Sequence, residues 1–549
     1  MEKSFVKLIA QSIRSNWDYP ALSDYQGATY TYGDIGEHIE KIRLLFEAAG
    51  IKPGDKVAMI GRNSAGWAMT FLGILSYGCV AVPILHEFHP SSVHHIVNHS
   101  ESLAFFVSSS IWENLDMDEM GGLNIILDLN SLKVLHAKKK KLNQENLANQ
   151  LMRKHHQFII NFQDLHFHIS SDDNALAMIS YTSGTSGFSK GVMIPQRALW
   201  NNVFWAQETL PGLSRGVNVV SILPLAHMYG LAFELLTELA SGMHVHFLTK
   251  TPSPRLILEM FSKNHPWIII MVPLIMEKII RKSIFPLLQT TRMKLLLKVP
   301  LLKERIYKKI RDKLVQALGG RLYEVIIGGA PFSSDVENFL HLIRFPYTTG
   351  YGMTECAPLI TYAPWDNFHP GSVGKIIGRM EIRIDSQDPL RIPGEIQVRG
   401  CNVMLGYYRN EKETQAAFTE DGWLHTGDLG IMDADGYLFI KGRSKNMILG
   451  QNGQNIYPEE IEDSINSLPY VEESLVVMRE NKLVALIHPN IEKMDADKIS
   501  MSEVRKIIQV DITRINQQLA AYCRLSSFQI YEDEFEKTPK RSIKRYLYK

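Results

Sequence analysis

The chain has little of what marks a secreted, membrane-spanning or nucleic-acid-binding protein. Its four cysteines, Cys79, Cys356, Cys401 and Cys523, lie far apart, without the spacing of a disulfide framework or a zinc site. No run approaches roughly 18 uncharged apolar residues, so we expect no membrane-spanning helix. The formal net charge of +1 argues against nucleic acid as a partner. We therefore expect a cytoplasmic protein in a reducing compartment.

The size of the chain predicts more than one domain. At 549 residues it is too long for a single hydrophobic core. Its apolar (45%) and charged (21%) fractions are typical of globular proteins. The first residues, MEKSFVKLIAQSIRSNW (1–17), predict an amphipathic helix and not a signal peptide, because charges occur throughout and a long apolar core is missing.

Apolar runs that alternate with helical patterns indicate an α/β fold. Runs such as DKVAMI (55–60) and WIIIMVP (267–273) alternate with helix-like segments such as GLAFELLTELASG (230–242). Strands that are apolar on both faces predict parallel sheets covered by helices on both sides. The sequence therefore predicts a large N-terminal domain with two doubly covered, mostly parallel sheets.

Two smaller units are predicted after these sheets. Beyond about residue 370 the strands become short and glycine-punctuated, which indicates a β-barrel-like subdomain. From about residue 446 a helix, two strands, a long helix near 502–519 and a last strand indicate a small α+β C-terminal domain.

One loop concentrates hydroxyl residues and glycine, in SYTSGTSGFSKGVMIPQ (180–196). Consecutive backbone N–H groups, small hydroxyls and the ammonium of Lys190 can surround phosphate oxygens. The loop is not a Walker A loop, which needs Ser or Thr after the lysine, because Gly191 stands there. Taken alone, such a cluster favours a flexible surface loop. It is not alone, however.

Seven ordered motifs resemble those of the adenylate-forming superfamily, which comprises acyl-CoA synthetases, peptide-synthetase adenylation domains and luciferases. They are YTSGTSGFSKGVM (181–193), PLAHMYG (224–230), IIGGAP (326–331), TTGYGMTE (348–355), HTGDLG (425–430), KGRSKNMI (441–448) and YPEEIE (457–462). Within the superfamily, TTGYGMTECAPLI, GGAPFSSDVENFL and the segment 295–320 look most like long-chain fatty-acid–CoA ligases.

The resemblance implies a reaction and its cofactors. A fatty acid is activated by ATP to acyl-AMP with release of pyrophosphate, and the acyl group then passes to CoA with release of AMP. ATP and Mg²⁺ are the implied cofactors, and CoA is the co-substrate. Positioning and charge neutralisation, more than covalent help, are what such a transfer needs from the protein.

The resemblance also assigns the phosphate and metal site. Glu355 is expected to coordinate Mg²⁺, a role suited to a hard carboxylate, with Thr185 as a second contact to the metal. The family usually has threonine and proline where Ser186 and Ser189 stand; the second change makes the loop more flexible. The residues expected to bind the β- and γ-phosphates are Thr182, Ser183, Gly184, Thr185, Ser186, Gly187 and Lys190.

The nucleoside and acyl sites follow from the other motifs. Tyr351 is expected to stack on adenine, Asp428 to accept hydrogen bonds from the ribose hydroxyls, and Arg443 to add a charged contact. Beside these, His227 would gate the acyl pocket or position the carboxylate; a packed core histidine is the alternative. The remaining nucleotide-binding residues implied are Gly329, Ala330, Pro331, Gly352, Met353 and Thr354. Ser334 and Glu337 have the spacing of a capping box.

The family places a hinge two residues after the arginine at position 443, at Lys445. The chain would then divide into an N-terminal ATP- and acyl-binding domain (1–444) and a mobile C-terminal domain (445–549) that swings between the two half-reactions. Gly453 would let the pantetheine arm of CoA pass close to the backbone.

One position departs from the family pattern. The lysine that bridges the acyl carboxylate and the α-phosphate is replaced by Ser542, in KTPKRSIKRYLYK (537–549). Lys540 or Lys544, on the same face of a strand, could supply the missing charge. We expect a working enzyme with such a substitute; the alternative is a degenerate fatty-acid- and nucleotide-binding protein with weak adenylation.

One basic segment bears on the partners. Residues 277–313 carry twelve Lys and Arg against three Asp and Glu, interleaved with leucine and isoleucine. This fits adhesion to an anionic membrane, with a peripheral position on its inner face; a solvated insert whose leucines face the core is the alternative. The sequence leaves the acyl chain length open. It also leaves open delivery to an acyl carrier protein and action on an aryl or short-chain acid.

Overall fold

A computed structural model of the chain describes residues 4–144, 147–155, 165–182, 190–449, 454–480, 482–538 and 543–548. Through these ranges, parallel strands predominate in the sheets of the N-terminal half, and antiparallel pairs predominate after residue 350.

The larger sheet has eight strands, of which the central five are parallel. Its strands Val80–Ile84 and Ala104–Val107 are buried throughout, as their continuous apolar character predicts. The helices Tyr32–Ala49 and Ala65–Ser76 pack on one face, and Pro90–His99 packs on the other. In spatial order the strands are Gly406–Tyr407, Lys190–Pro195, Leu176–Thr182, Val80–Ile84, Lys56–Ile60, Ala104–Val107, Ile125–Asp128 and Val134–Ala137.

The second layer of strands is formed by two short sheets that adjoin one another. Between them, the N–H of Trp267 donates to the carbonyl of Asn218 at 3.3 Å. The first sheet contains Asn218–Ser221, His244–Phe247, Pro20–Asp24 and Thr29–Thr31, and the second contains the parallel strands Ile268–Met271, Glu324–Ile327 and Tyr347–Thr349. The predicted α/β architecture with mostly parallel, helix-covered sheets is confirmed.

The strands between residues 351 and 443 that form the next two sheets are paired antiparallel. A three-stranded sheet contains Tyr351–Gly352, Leu359–Tyr362 and Lys375–Ile376. A four-stranded sheet contains Met380–Asp385, Gly394–Gly400, Leu424–Met432 and Leu438–Arg443.

The C-terminal part has its own hydrophobic core, to which Ile461, Ile487 and Ile508 contribute. Its strands are Ile448–Leu449, Asn455–Ile456, Val471–Arg479, Lys482–Pro489 and Ser527–Ile530, and its helices are Pro458–Asn466, Ile491–Asp497 and Met501–Gln518. This order of elements matches the predicted α+β module.

The remaining helices surround the sheets. Phe5–Ser15 buries Phe5, Ile9 and Ile13, so the predicted amphipathic helix is a packed part of the fold. The other helices are Ser109–Trp112, Leu147–His155, Gln196–Thr209, Met228–Leu231, Thr237–Ala240, Pro254–Asn264, Pro273–Ser283, Phe285–Gln289, Thr291–Leu296, Pro300–Ala317, Ser334–Leu342 and Glu411–Ala417. Among the described residues, no helix is both long and apolar enough to cross a membrane.

The helical pattern of 230–242 is confirmed through Ala240, with a π-helical turn, Ala232–Leu236, between two short α-helices. One local prediction is wrong. The capping box of Ser334 and Glu337 does not form, because the N-cap is Ser333 and its side chain makes no capping bond within the described residues. Ser334 instead hydrogen-bonds, through its side chain and its backbone, to Asp463 of the C-terminal part.

Candidate active site

The hydroxyl- and glycine-rich loop connects two paired antiparallel strands. Thr182, at the end of Leu176–Thr182, lies opposite Lys190, at the start of Lys190–Pro195, so these two residues form the base of the loop. The short strand Gly406–Tyr407 pairs with the second of them, Tyr407 lying opposite Val192. The predicted residues Ser183, Gly184, Thr185, Ser186 and Gly187 lie outside the described residues.

Lys190 has two partners that sequence reasoning did not find. Its ammonium forms an ion pair with the carboxylate of Glu413. The same nitrogen lies 5.1 Å from the centroid of the Tyr407 ring. The hydrogen bond and the charge of Lys190 lower the pKa of Glu413, so this carboxylate is ionised at neutral pH.

Glu355 lies beside the same tyrosine. It belongs to the 3₁₀ turn Thr354–Cys356. A hydrogen bond of 2.9 Å from the N–H of Met404 to the Glu355 carbonyl holds this turn in place. The hydroxyl of Tyr407 donates to Oε1 of Glu355 at 3.0 Å. Burial, followed by the Glu355 charge, raises the pKa of Tyr407, which stays a donor. The structure therefore brings together the predicted phosphate lysine and the predicted metal carboxylate.

Asp428 is buried, and each of its oxygens has a partner. Tyr351 donates its hydroxyl to Oδ2 at 2.6 Å, and Nε of Arg443 lies 2.8 Å from Oδ1. Asp428 and Arg443 are also opposite one another on paired strands. Burial raises the pKa of Asp428, although Arg443 and Tyr351 act to lower it. A carboxylate has about four lone-pair sites, so these contacts leave it able to accept from ribose hydroxyls.

A cavity adjoins these groups, and glycines shape its polar end. Gly329, two residues after the strand Glu324–Ile327, has a φ of +85°, a conformation that favours glycine. At Gly352 a Cβ atom would lie 2.1 Å from the carbonyl oxygen of Pro358, so a side chain cannot be placed there. Gly329, Tyr351 and Gly352 line the cavity, whereas Ala330 and Pro331 are exposed.

The other end of the cavity is apolar and aromatic. The rings of Trp205 and Tyr362 meet edge-to-face with centroids 5.1 Å apart, and Phe233 lies 6.4 Å from Trp205 in the same geometry. The hydroxyl of Tyr362 donates to Glu324, whose pKa is raised to about 7 by burial. Such a wall suits an apolar ligand group next to the glycine-lined end.

Models of two protein families match the chain. That of the AMP-binding enzymes matches residues 9–408, and that of the AMP-binding enzyme C-terminal domain matches residues 445–548. The chain belongs to the AMP-binding enzyme family. The superfamily predicted from the seven motifs is therefore confirmed.

Curated and solved proteins agree with this assignment. A long-chain-fatty-acid–CoA ligase of Escherichia coli O6:H1 is 28% identical over 546 residues, covering 95% of this chain and 88% of that protein. ATP-bound MatB from Rhodopseudomonas palustris has a TM-score of 0.76 at 22% identity, covering 100% and 98% of the two chains. O-succinylbenzoate coenzyme A synthetase (MenE) from Bacillus subtilis, in complex with ATP and magnesium ion, has a TM-score of 0.74 at 21% identity, covering 98% of each. These two structures share the fold.

In this AMP-binding enzyme, His227 caps the helix Met228–Leu231 beside the cavity. Its N–H donates to the carbonyl of Pro224 at 3.0 Å, and its carbonyl accepts from the N–H of Leu231 at 2.9 Å. Tyr229, two residues further on, lines the cavity wall. Among the described residues, the cavity lining includes Tyr229 and not His227, so the expected role of His227 at the acyl pocket stays a prediction.

Glu234 holds this loop and was not found from the sequence. Its Oε2 accepts from the N–H groups of Ile222 and Leu223, at 3.0 and 2.9 Å, and from the hydroxyl of Ser221 at 3.0 Å. Burial raises the pKa of Glu234 well above its usual range. The sequence signal that could have indicated Glu234 is a single carboxylate within the apolar run LAFELL (231–236). In the structure this carboxylate lies on the π-helical turn.

The expected hinge lies in a 3₁₀ turn, Ser444–Asn446, directly after the strand that carries Arg443. Burial and the neighbouring Arg443 lower the pKa of Lys445, and the charge of Lys190 acts in the same direction. The side-chain amide of Asn446 donates to Glu459 at 2.7 Å, which connects the turn to the C-terminal part. Gly453 lies outside the described residues.

The C-terminal lysines are only partly described. Lys544 pairs with Glu536 at 3.2 Å, so it would have to leave this carboxylate to act in place of the missing lysine. The neighbouring Arg545 pairs with Glu462, also within the C-terminal part. Lys540 and Ser542 lie outside the described residues.

Proposed function

We propose that the chain is an ATP- and Mg²⁺-dependent long-chain fatty-acid–CoA ligase. The observation that carries the proposal is the convergence of Lys190, Glu355 and Asp428 with an aromatic-walled cavity. In this proposal the acid is first joined to AMP with release of pyrophosphate, and the acyl group then passes to the thiol of CoA with release of AMP.

The phosphate and metal roles are assigned from the chemistry of the donor set. Glu355 offers a carboxylate bound to Tyr407, whose ring contacts Lys190 at the base of the loop, and hard oxygen donors suit Mg²⁺. When bound, Mg²⁺ neutralises charge on the triphosphate. Lys190 holds the β- and γ-phosphates, with the loop residues Ser183–Gly187 completing the site and Thr185 contacting the metal.

The nucleoside is held at the glycine-shaped end of the cavity. Tyr351 lies along adenine, and Gly329 and Gly352 allow the base to approach the backbone. The buried Asp428 accepts hydrogen bonds from the ribose hydroxyls at its remaining lone pairs, and Arg443 remains near the phosphates. Neighbouring positions Ala330, Pro331, Met353 and Thr354 complete the nucleotide site.

The acyl group occupies the apolar end, between Trp205, Phe233 and Tyr362. His227 and the loop held by Glu234 position the carboxylate at its entrance. A fatty acid is favoured over an aryl acid because the relative from Escherichia coli, matched along most of both chains, is a long-chain-fatty-acid–CoA ligase.

We also propose a two-domain organisation, 1–444 and 445–549, with Lys445 as the hinge. The separate C-terminal core and the C-terminal family match, which begins at residue 445, support this division. Movement about Lys445 would bring Gly453 to the pantetheine arm in the second half-reaction, and Lys540 or Lys544 to the carboxylate in the first.

An anionic membrane surface is proposed as the place where the fatty acid is collected. Leu287, Leu295 and Leu301 are 62%, 61% and 74% exposed on three consecutive helices. The exposed side chains of Lys294 and Lys298 lie between them in sequence. Exposed leucines among cations favour lipid contact over burial of the same leucines in the core.

The experiment that tests the function is ATP–pyrophosphate exchange with a panel of acids, followed by transfer to CoA or to acyl carrier protein. We expect the fastest exchange with saturated long-chain acids and thioester formation with CoA. Faster exchange with short-chain or aryl acids would overturn the substrate class. Exchange without transfer to CoA would favour the carrier protein, and no exchange with any acid would favour a binding protein.

A further inference from the structure

The carboxylate of Glu413 is paired with the ammonium of Lys190, the group that the proposed function assigns to the triphosphate. Lys190 is 29% exposed and Glu413 is 42% exposed, so a ligand can reach the pair from solvent. A lysine ammonium is a compact charge with three donors and binds a carboxylate or a phosphate in the same way. In this structure the carboxylate of Glu413 therefore takes the place at Lys190 that a nucleotide phosphate would take.

The fold fixes Glu413 at this position through the first turn of helix Glu411–Ala417. The side chain of Asn410 accepts from the N–H of Glu413 at 3.2 Å and caps the helix. Thr414 accepts from the N–H of Tyr407 at 2.8 Å, which ties the helix to the strand beside Lys190. The carboxylate is thus held near the ammonium by backbone contacts on both sides.

The Tyr407 ring supports Lys190 independently of Glu413. Its centroid lies 5.1 Å from the ammonium, a distance at which the aromatic face attracts a cation. Lys190 therefore keeps one favourable contact when the carboxylate is displaced. This arrangement suits exchange of one anion for another better than it suits a permanent ion pair.

We propose that Glu413 is a placeholder for the terminal phosphates of ATP and thereby sets the affinity of the enzyme for nucleotides that carry them. ATP and pyrophosphate must displace the carboxylate from Lys190, whereas AMP has no β- or γ-phosphate and does not compete with it. This inference rests on the proposed contact between Lys190 and the β- and γ-phosphates.

The size of the effect follows from competition. When a binding group is available for only part of the time, the apparent dissociation constant rises by the inverse of that fraction. A partly exposed ion pair changes such an equilibrium by up to about fivefold. We therefore expect removal of the Glu413 charge to tighten ATP binding by roughly two- to fivefold.

The test is calorimetric titration of the full-length protein with MgATP, pyrophosphate and AMP, without fatty acid. In Glu413→Gln we expect ATP and pyrophosphate to bind about two- to fivefold more tightly and AMP to bind as before. Glu413→Asp, which keeps the charge, should remain closer to the wild type. The matched control is Glu411→Gln, a neutralised and exposed carboxylate in the same helix turn, which should change none of the three affinities.

Three results would overturn the placeholder. Unchanged ATP affinity in Glu413→Gln would show that the carboxylate does not compete, and weaker ATP binding would show that it assists the bound state. Equal tightening of AMP would reveal a general charge effect. Lys190→Ala separates this inference from the proposed function: if that variant binds ATP normally, the contact of Lys190 with phosphate is itself wrong.

Discussion

The hydroxyl of Tyr407 donates to Oε1 of Glu355 at 3.0 Å, while the ring of the same tyrosine lies against the ammonium of Lys190. One side chain thus contacts both the proposed metal ligand and the proposed phosphate ligand. Removing a group that orients a metal ligand typically costs about 10- to 100-fold in metal affinity or activity.

Tyr407→Phe should raise the Mg²⁺ concentration needed for half-maximal adenylation by roughly tenfold, because the carboxylate of Glu355 loses the donor that orients it. The ring stays, so the affinity for ATP at saturating Mg²⁺ should change little. The measurement is a Mg²⁺ titration of ATP–pyrophosphate exchange. Tyr408→Phe is the control, since that hydroxyl donates to Glu101 at the surface; an equal shift in both variants would contradict the orienting role.

Glu355→Gln tests the metal ligand directly. The amide keeps the shape of the side chain but removes the charge, so adenylate formation should fall by at least about tenfold while circular dichroism and thermal unfolding stay near wild type. Glu355→Asp should retain more activity than the amide variant. Near-normal pyrophosphate exchange in Glu355→Gln would remove this residue from the metal site.

The residues of this cluster differ in how far the sequence could indicate them. Lys190 and Glu355 lie within motifs whose local pattern carries their chemistry, and apolar runs such as 267–273 indicated the buried strands. Tyr407 and Glu413 reach the site through pairing between strands distant along the chain, which no local period encodes. The wrong capping box at Ser334 has a similar cause, because Asp463 provides a tertiary partner.

Lys445→Pro tests the hinge. Proline fixes φ near −65° and should obstruct rotation of residues 445–549 relative to the N-terminal domain. We expect one half-reaction to be retained and the other to be lost, with adenylation retained if the variant is held in the conformation that supports it. Pyrophosphate exchange and thioester formation are measured separately. Lys445→Ala, which removes the ammonium without fixing φ, is the control; equal losses in both half-reactions of the proline variant, or none, would contradict a hinge.

Membrane docking predicts that the protein binds anionic vesicles and that added salt weakens the binding, because exposed charges are screened over about 10 Å at 0.1 M ionic strength. Replacing Lys308, Lys309 and Arg311 by glutamate should reduce the fraction that sediments with phosphatidylglycerol vesicles further. Binding that is absent or independent of salt would favour a solvated insert.

The control for docking carries the same change in charge elsewhere. Lys498, Arg505 and Lys506 are exposed in the C-terminal part, and their replacement by glutamate should weaken vesicle binding less than the triple change in helix Pro300–Ala317. Equal weakening by the two triple variants would show that net charge alone, and not this helix, determines the binding.

Ser542 decides whether the family resemblance extends to full catalytic power. If Lys540 or Lys544 supplies the missing charge, then Ser542→Lys should change adenylation only a few-fold. Alanine at the substituting lysine should reduce adenylation sharply, since preorganised charge is often the largest catalytic term.

A second variant distinguishes the two lysines. Lys544 would first have to leave Glu536, so Glu536→Gln should increase adenylation if Lys544 is the substitute and leave it unchanged if Lys540 is. Each variant is assayed by single-turnover formation of acyl-AMP. An increase of several orders of magnitude in Ser542→Lys would show that the natural protein is a weak adenylator, and the proposal of a working ligase would then be wrong.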